Sequence, residues 1–138
     1  MDGRFHLAIA TTDLKRMKAF YGSFLGLKEG RSAATWVDYD FFGHQLTIQE
    51  VPLTYRTARV YNPQSSVPSN HWGVVLNIAD WRRLRDKVKK LGIAFLIEPN
   101  TVMKGEVGEQ RSLFIEDPDG NAIEFKAMLE EGNLFKKG

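Results

Sequence analysis

Two stretches of this chain decide its fold, because they carry the same pattern. They are FHLAIATTDLKRMKAFYGSFLGL (residues 5–27) and NHWGVVLNIADWRRLRDKVKKLGI (residues 70–93). Each begins with alternating apolar residues, which predicts a strand, and continues with apolar residues at helical spacing. The two strands carry His6 and His71, and both helices end in a Leu-Gly pair. The repeat predicts two equivalent modules.

Three more strand patterns follow each predicted helix. They lie at 28–31, 35–41 and 44–51 in the first half, and at 94–99, 111–117 and 121–128 in the second. The sequence therefore predicts an α+β fold in which two βαβββ modules form one curved mixed sheet. We expect one domain, with module 1 at about 4–51, a proline-rich linker at 52–69, module 2 at about 70–128 and a tail at 129–138.

The composition is that of an ordinary globular protein. Of 138 residues, 43% are hydrophobic and 26% are charged, and the net charge is +2. The absence of cysteine excludes disulfides and thiolate ligands. No apolar run is long enough to cross a bilayer, and the first residues do not resemble a signal peptide, so we expect a cytoplasmic protein without a membrane partner.

The basic run WRRLRDKVKK (81–90) predicts a solvent-facing helix surface. Its apolar positions have helical spacing, and the charges occupy the remaining positions. No base-reading motif accompanies the charges, so nucleic acid is not an expected partner.

Strand alternation places three possible metal ligands on one face of the predicted sheet. If Leu7 and Ile9 pack on the helix, His6 points the other way, and the same parity applies to His71 and to Glu124. Singly, each has an ordinary structural explanation, since a histidine between apolar residues is commonly a core residue. Together they form the two-histidine, one-carboxylate set typical of non-haem Fe(II) sites.

The segment DPDGNAIEFK (117–126) is a turn followed by a half-buried strand that contains Glu124. With the two repeated stretches, it makes nearly the whole chain resemble the vicinal oxygen chelate superfamily, which includes glyoxalases, bleomycin resistance proteins and extradiol dioxygenases. The resemblance implies a cleft around a divalent metal, with ligand positions at His6, Thr47, His71 and Glu124.

Threonine is a poor ligand for a divalent metal, so Thr47 implies three protein ligands and room for a bidentate substrate. The chain is most similar to small predicted extradiol dioxygenases. The resemblance therefore implies an oxidoreductase that binds a catechol-like substrate and O₂ at Fe(II), with Mn(II), Zn(II) or Ni(II) as alternative metals.

Other members of the superfamily provide alternatives. Fosfomycin-type thiol transferases share the ligand set with Mn(II), although this chain has Ala8 where they carry threonine. A glyoxalase-like lyase is a further possibility, but such enzymes generally need additional carboxylates. A bleomycin-resistance-like binding protein would have lost the ligands, which are retained here.

The remaining candidate residues surround the expected cleft. His44 and Tyr55 are the candidate acid–base residues, although strand parity favours a rim position for His44. The candidate substrate-lining residues are Gln45, Thr47, Gln49, Trp36, Asp38, Lys104 and Arg111. The polar segment 103–111 is a candidate flap over the cleft.

We expect a small-molecule substrate and a homodimer, because two small modules leave sheet edges to cover. The resemblance allows two arrangements of the cleft. It is built either within one chain, or from His6 of one copy with His71 and Glu124 of another.

Overall fold

The computed structural model describes residues 1–52 and 55–138, so residues 53 and 54 of the predicted linker lie outside the described residues. The chain forms two compact units. Unit 1 comprises Met1–Ala58 and Asp117–Gly120, and unit 2 comprises Arg59–Glu116 and Asn121–Gly138. Among the described residues, no helix has the length and apolar character needed to cross a membrane.

Each unit contains one βαβββ module. In unit 1 the elements are β1 (His6–Thr11), α1 (Leu14–Lys18) with a π-helical continuation (Ala19–Phe24), β2 (Lys28–Ala33), β3 (Trp36–Phe41) and β4 (His44–Glu50). In unit 2 they are β5 (His71–Val75), α2 (Ile78–Lys90), β6 (Ile97–Val102), β7 (Gln110–Glu116), β8 (Ala122–Met128) and a 3₁₀ turn (Glu131–Asn133).

The strands form two four-stranded sheets, with the orders β1-β4-β3-β2 and β5-β8-β7-β6. In both sheets the first and last strands of the module pair in parallel and the other neighbours are antiparallel. The predicted α+β class and the two βαβββ modules are confirmed. Where the sequence predicted one curved sheet, the structure has two sheets, because the named strands find their partners within their own module.

Each of the two α-helices begins with a side-chain cap. Asp13 caps α1, since its side chain accepts a hydrogen bond from the Arg16 backbone N–H at 3.0 Å. The cap of α2 is Asn77, whose side chain accepts a hydrogen bond from the Asp80 backbone N–H at 2.8 Å. A capping residue precedes the first turn, and Asp80 already lies inside that turn.

The core of each unit lies between its helix and one face of its sheet. In unit 1 Met17 and Tyr21 of the helical segments are completely buried, as is Ile48 of β4. In unit 2 Trp81 of α2 is 3% exposed and donates its indole N–H to the Phe125 carbonyl at 2.8 Å. Burial of such side chains supplies the main stabilisation of the fold.

Two strand predictions need correction. Phe5 opens the first repeated stretch, whose alternating apolar residues predicted a strand, but it precedes β1 and is 62% exposed. The strand predicted at 94–99 begins at Ile97 instead, because the chain leaving α2 passes through Gly92 with a positive φ of 69° before it joins the sheet.

The turn between β7 and β8, Asp117–Gly120, belongs to unit 1 by its contacts. Tyr21 donates its hydroxyl proton to Asp117 Oδ2 at 2.7 Å, and Arg16 Nη2 lies 3.0 Å from Asp119 Oδ1. Both aspartates are 2% exposed. Gly120 has a φ of 87°, which closes the turn in a conformation that glycine adopts without strain. The turn is therefore a buried polar contact of α1 and its continuation.

Tyr21→Phe is expected to lower the free energy of unfolding by about 1–2 kcal/mol at neutral pH, because a buried carboxylate oxygen loses a hydrogen bond. Burial, followed by the charge of Asp117, raises the pKa of Tyr21 well above its ordinary value. The tyrosine therefore contributes stability that is complete below about pH 10 and is lost as the pH rises further. Urea titrations from neutral to alkaline pH should show a steeper alkaline loss in the wild type than in the variant.

Tyr61→Phe is the matched control, since Tyr61 is 51% exposed. It should leave both the stability and its alkaline slope near the wild-type values. Equal alkaline slopes for the wild type and Tyr21→Phe would contradict the assignment.

Candidate metal centre

His71 and Glu124 form a close pair in unit 2. His71 Nε2 lies 3.6 Å from Glu124 Oε1, and the two side chains are 29% and 16% exposed. They come from the parallel neighbours β5 and β8, in which Gly73 is opposite Glu124. Alternation along each strand places both side chains on the face that is turned away from α2, as the sequence predicted.

The orientation of His71 is set by a backbone carbonyl. Its Nδ1 lies 2.6 Å from the Pro68 carbonyl oxygen. A carbonyl only accepts hydrogen bonds, so Nδ1 carries the proton and, in the neutral ring, Nε2 presents its lone pair on the side of Glu124. The Phe114 ring packs edge-on against the imidazole at a centroid distance of 5.0 Å. A histidine held in this way is prepared to bind a metal through Nε2.

Glu124 is held by two neighbouring polar side chains. Ser112, which is 2% exposed, donates its hydroxyl proton to Glu124 Oε2 at 2.7 Å. Lys126 Nζ lies 3.7 Å from Oε1, the oxygen that also approaches His71. The carboxylate is thereby kept in one orientation with Oε1 available beside the histidine. These contacts compensate for the partial burial of a carboxylate in the middle of β8.

His6 lies in unit 1, on β1, where it lines a cavity of about 290 Å³. The structure brings five of the candidate substrate-lining residues to the same cavity. They are Trp36, Asp38, Gln45, Thr47 and Gln49. Their convergence follows from the pairing of β4 with β1 on one side and with β3 on the other.

The hydroxyl of Thr47 is engaged by a neighbouring strand. Thr47 Oγ1 donates to Asp38 Oδ1 at 2.6 Å, and Gln45 Nε2 donates to Asp38 Oδ2 at 3.2 Å. Asp38 is 8% exposed, and these bonds compensate for the burial of its charge. The arrangement agrees with Thr47 acting as a hydrogen-bond donor instead of a metal ligand.

The predicted triad is divided between the two units. Across residues 1–52 and 55–138, no three or more histidine, aspartate or glutamate side chains form a group that could hold a metal ion. His71 and Glu124 meet each other in unit 2, and His6 belongs to unit 1. The donor chemistry of the pair fits a divalent metal, and the three-ligand site stays a prediction.

The two candidate acid–base residues lie elsewhere in unit 1. His44 accepts a hydrogen bond at Nδ1 from the Phe5 backbone N–H at 3.0 Å and lines a second cavity of about 410 Å³. This position at the start of β4 agrees with the rim location favoured by strand parity. Tyr55 is 40% exposed, and its hydroxyl lies 3.3 Å from Thr57 Oγ1. Their catalytic roles stay predictions.

The remaining candidates lie in unit 2. Lys104 is exposed in the predicted flap. The Glu109 carboxylate accepts from the Gly105 backbone N–H at 2.8 Å and from Arg111 at 3.1 Å, and these two contacts hold the pKa of Glu109 below its ordinary value. Arg111 lines a cavity with Trp81 of α2, on the opposite face of the sheet from Glu124. The structure therefore does not bring Arg111 to the His71–Glu124 pair.

Two residues beside Glu124 were missed or misplaced by sequence reasoning. They are Ser112 and Lys126. The signal that connects them is the antiparallel register of β7 and β8, in which Ser112 is opposite Lys126. Lys126 follows Glu124 by two positions on β8 and shares its face by alternation, whereas Ser112 reaches that face only through the strand register.

Comparison with known proteins identifies the family. The family model described as "Glyoxalase/Bleomycin resistance protein/Dioxygenase superfamily" matches residues 3–125. The chain is 28% identical over 121 residues to "Glutathione transferase FosA" from Serratia marcescens, covering 86% of this chain and 76% of that protein.

Solved structures agree with the fold. A "glyoxalase/bleomycin resistance protein/dioxygenase" from Alicyclobacillus acidocaldarius is 27% identical, with a TM-score of 0.81 and 97% of each chain covered. The fosfomycin resistance protein FosX from Listeria monocytogenes is 22% identical, with a TM-score of 0.68, and covers 95% of this chain and 98% of its own; this likeness concerns the fold alone. The chain belongs to the Glyoxalase/Bleomycin resistance protein/Dioxygenase superfamily.

Proposed function

We propose that this chain is a divalent-metal-dependent enzyme whose metal is held by His6, His71 and Glu124. The observation that carries the proposal is the pair of His71 Nε2 and Glu124 Oε1 at 3.6 Å, with the imidazole tautomer set by the Pro68 carbonyl. A bound divalent cation would act as a Lewis acid for two oxygen atoms of a small substrate.

The chain's own residues orient the ligands. Ser112 holds one oxygen of Glu124, and the Pro68 carbonyl holds His71. Outer contacts of this kind commonly change metal affinity 10- to 100-fold. The third ligand, His6, comes either from the same chain or from a second copy in a homodimer.

The reaction that the relatives favour is transfer of a glutathione thiol to a small electrophile. The support is the 28% identity to a protein named glutathione transferase, across 86% of this chain. In such a transfer a sulfur–carbon bond forms, the carbon–oxygen bond of the electrophile breaks, and the released oxygen takes a proton. Trp36, Gln45 and Gln49 would contact the electrophile in the cavity beside His6.

A second candidate is the extradiol dioxygenase expected from the sequence, with Fe(II) at the same three ligands. The observation in its favour is Thr47, whose hydroxyl is committed to Asp38, so a fourth protein ligand is missing from that position. A site with three protein ligands leaves positions for a bidentate catecholate and O₂. The family description includes dioxygenases, and the comparisons give no further support for this reaction.

Calorimetric titration with Mn(II), and anaerobically with Fe(II), should show binding to the wild type. We expect His6→Ala, His71→Ala and Glu124→Gln to weaken it by more than about 100-fold, and Ser112→Ala by about tenfold, because the first three remove ligands and the last frees a ligand to rotate. His44→Ala is the matched control, since it removes the one remaining histidine. Undiminished binding in Glu124→Gln would refute the site.

A mixing experiment distinguishes the two arrangements of the cleft. If the site joins two copies, His6→Ala mixed with Glu124→Gln will regain metal binding, because one site of the mixed dimer receives His6 from one chain and His71 with Glu124 from the other. If the site lies within one chain, neither protein contains an intact site and the mixture will not bind metal. Renaturing the two variants together ensures exchange of subunits.

The two reactions are separated by their products. We expect Mn(II)-loaded protein with glutathione and a panel of small epoxides to form adducts detectable by mass spectrometry, and Glu124→Gln to form none above the uncatalysed rate. Oxygen uptake by Fe(II)-loaded protein with a catechol panel, without adduct formation, would favour the dioxygenase. Metal binding without either product, combined with tight retention of a small molecule, would favour a bleomycin-resistance-like binding protein.

A further inference from the structure

We infer that the cavity next to Glu124 in unit 2 binds the aminocarboxylate end of a peptide thiol, such as the γ-glutamyl group of glutathione. This inference rests on the proposed thiol transfer. The cavity measures about 220 Å³. Its lining includes Met103, Glu106, Gln110, Lys126, Leu134 and Lys136. None of them is one of the proposed metal ligands.

Lys126 connects this cavity to the proposed metal centre. It follows Glu124 by two positions on β8, so both side chains lie on the same face of the sheet. Its Nζ lies 3.7 Å from Glu124 Oε1, and the residue also lines the cavity. A carboxylate that shares its charge with a bound cation attracts the ammonium less strongly, so Lys126 can then pair with an incoming carboxylate.

Gln110 supplies an unused acceptor in the same cavity. Its Oε1 atom is buried and has no hydrogen-bond partner within the described part of the chain. Buried polar atoms without a partner are rare in folded proteins. An N–H donor of a ligand would satisfy this oxygen, and an ammonium group provides such a donor.

The other walls fit the same ligand. Lys136 provides a second positive charge, and Glu106 provides a negative charge that suits an ammonium group. Met103 and Leu134 provide apolar surface for the methylene groups between the charged end and the thiol. A carboxylate and an ammonium on one carbon, followed by a short apolar chain, match this arrangement of charges.

The inference is tested with S-methylglutathione, whose blocked sulfur cannot ligate a metal as a thiolate. Calorimetry on metal-free and Mn(II)-loaded protein should show saturable binding to the wild type. Lys126→Met should weaken binding about tenfold, because one charge-assisted contact is lost. Gln110→Leu should also weaken it, whereas Lys126→Arg, which keeps the charge, should restore most of the affinity. Lys90→Met, at an exposed position of α2, is the matched control and should have no effect.

Saturable binding that depends on Lys126 and Gln110 would support the inference. Absence of binding to the wild type at millimolar S-methylglutathione, or equal binding by wild type, Lys126→Met and Gln110→Leu, would overturn it. Circular dichroism checks that each variant folds, and Lys126→Gln replaces Lys126→Met if the latter does not. Mn(II) titration of the wild type and of the variants keeps the two proposals separate. A wild type that binds Mn(II) but not S-methylglutathione counts against this cavity alone.

Discussion

The parallel pairing of the first and last strands of each module is the constraint on which the rest of the structure depends. It joins β1 to β4 and β5 to β8, so residues far apart in the chain become neighbours at one side of each sheet. Because parallel strands need a long crossover, the helix and the two intervening strands of each module are required by this pairing. The same pairing brings Glu124 beside His71 and Thr47 beside the cavity that contains His6.

Three carboxylates with low exposure in the described part of the chain are each compensated by neighbouring groups. Asp38 is bound by Thr47 and Gln45, Glu124 is bound by Ser112, and Asp117 is bound by Tyr21. A carboxylate with a defined set of donors is held in one orientation, which a metal ligand or a turn anchor needs. The two buried aspartates of the turn after β7 thus serve the packing of unit 1, while Glu124 serves the candidate site.

Much of the fold and part of the site could be predicted from the sequence, because both follow from local periodicity. The alternation of β1, β5 and β8 was sufficient to place His6, His71 and Glu124 on faces away from their helices. It also grouped Gln45, Thr47 and Gln49 on one side of β4.

What escaped prediction depends on the register between strands. Ser112 becomes a neighbour of Glu124 only through the pairing of β7 with β8, and the position of Arg111 on the opposite face follows from the same register. The π-helical end of the first helix likewise has no distinct periodic signal in the residues that form it.

Gly73 restricts what can lie beside the His71–Glu124 pair. A Cβ atom at this position would overlap the main-chain carbonyl of Glu124, so side chains larger than hydrogen are excluded between His71 and Glu124. The surface between His71 and Glu124 is consequently formed by backbone and has little capacity to vary without separating β5 from β8. The cavity beside His6, in contrast, is lined by several side chains of different size and polarity. The cavity beside His6 therefore has more freedom to change its shape and polarity by substitution than the surface between His71 and Glu124, which is fixed by main-chain atoms.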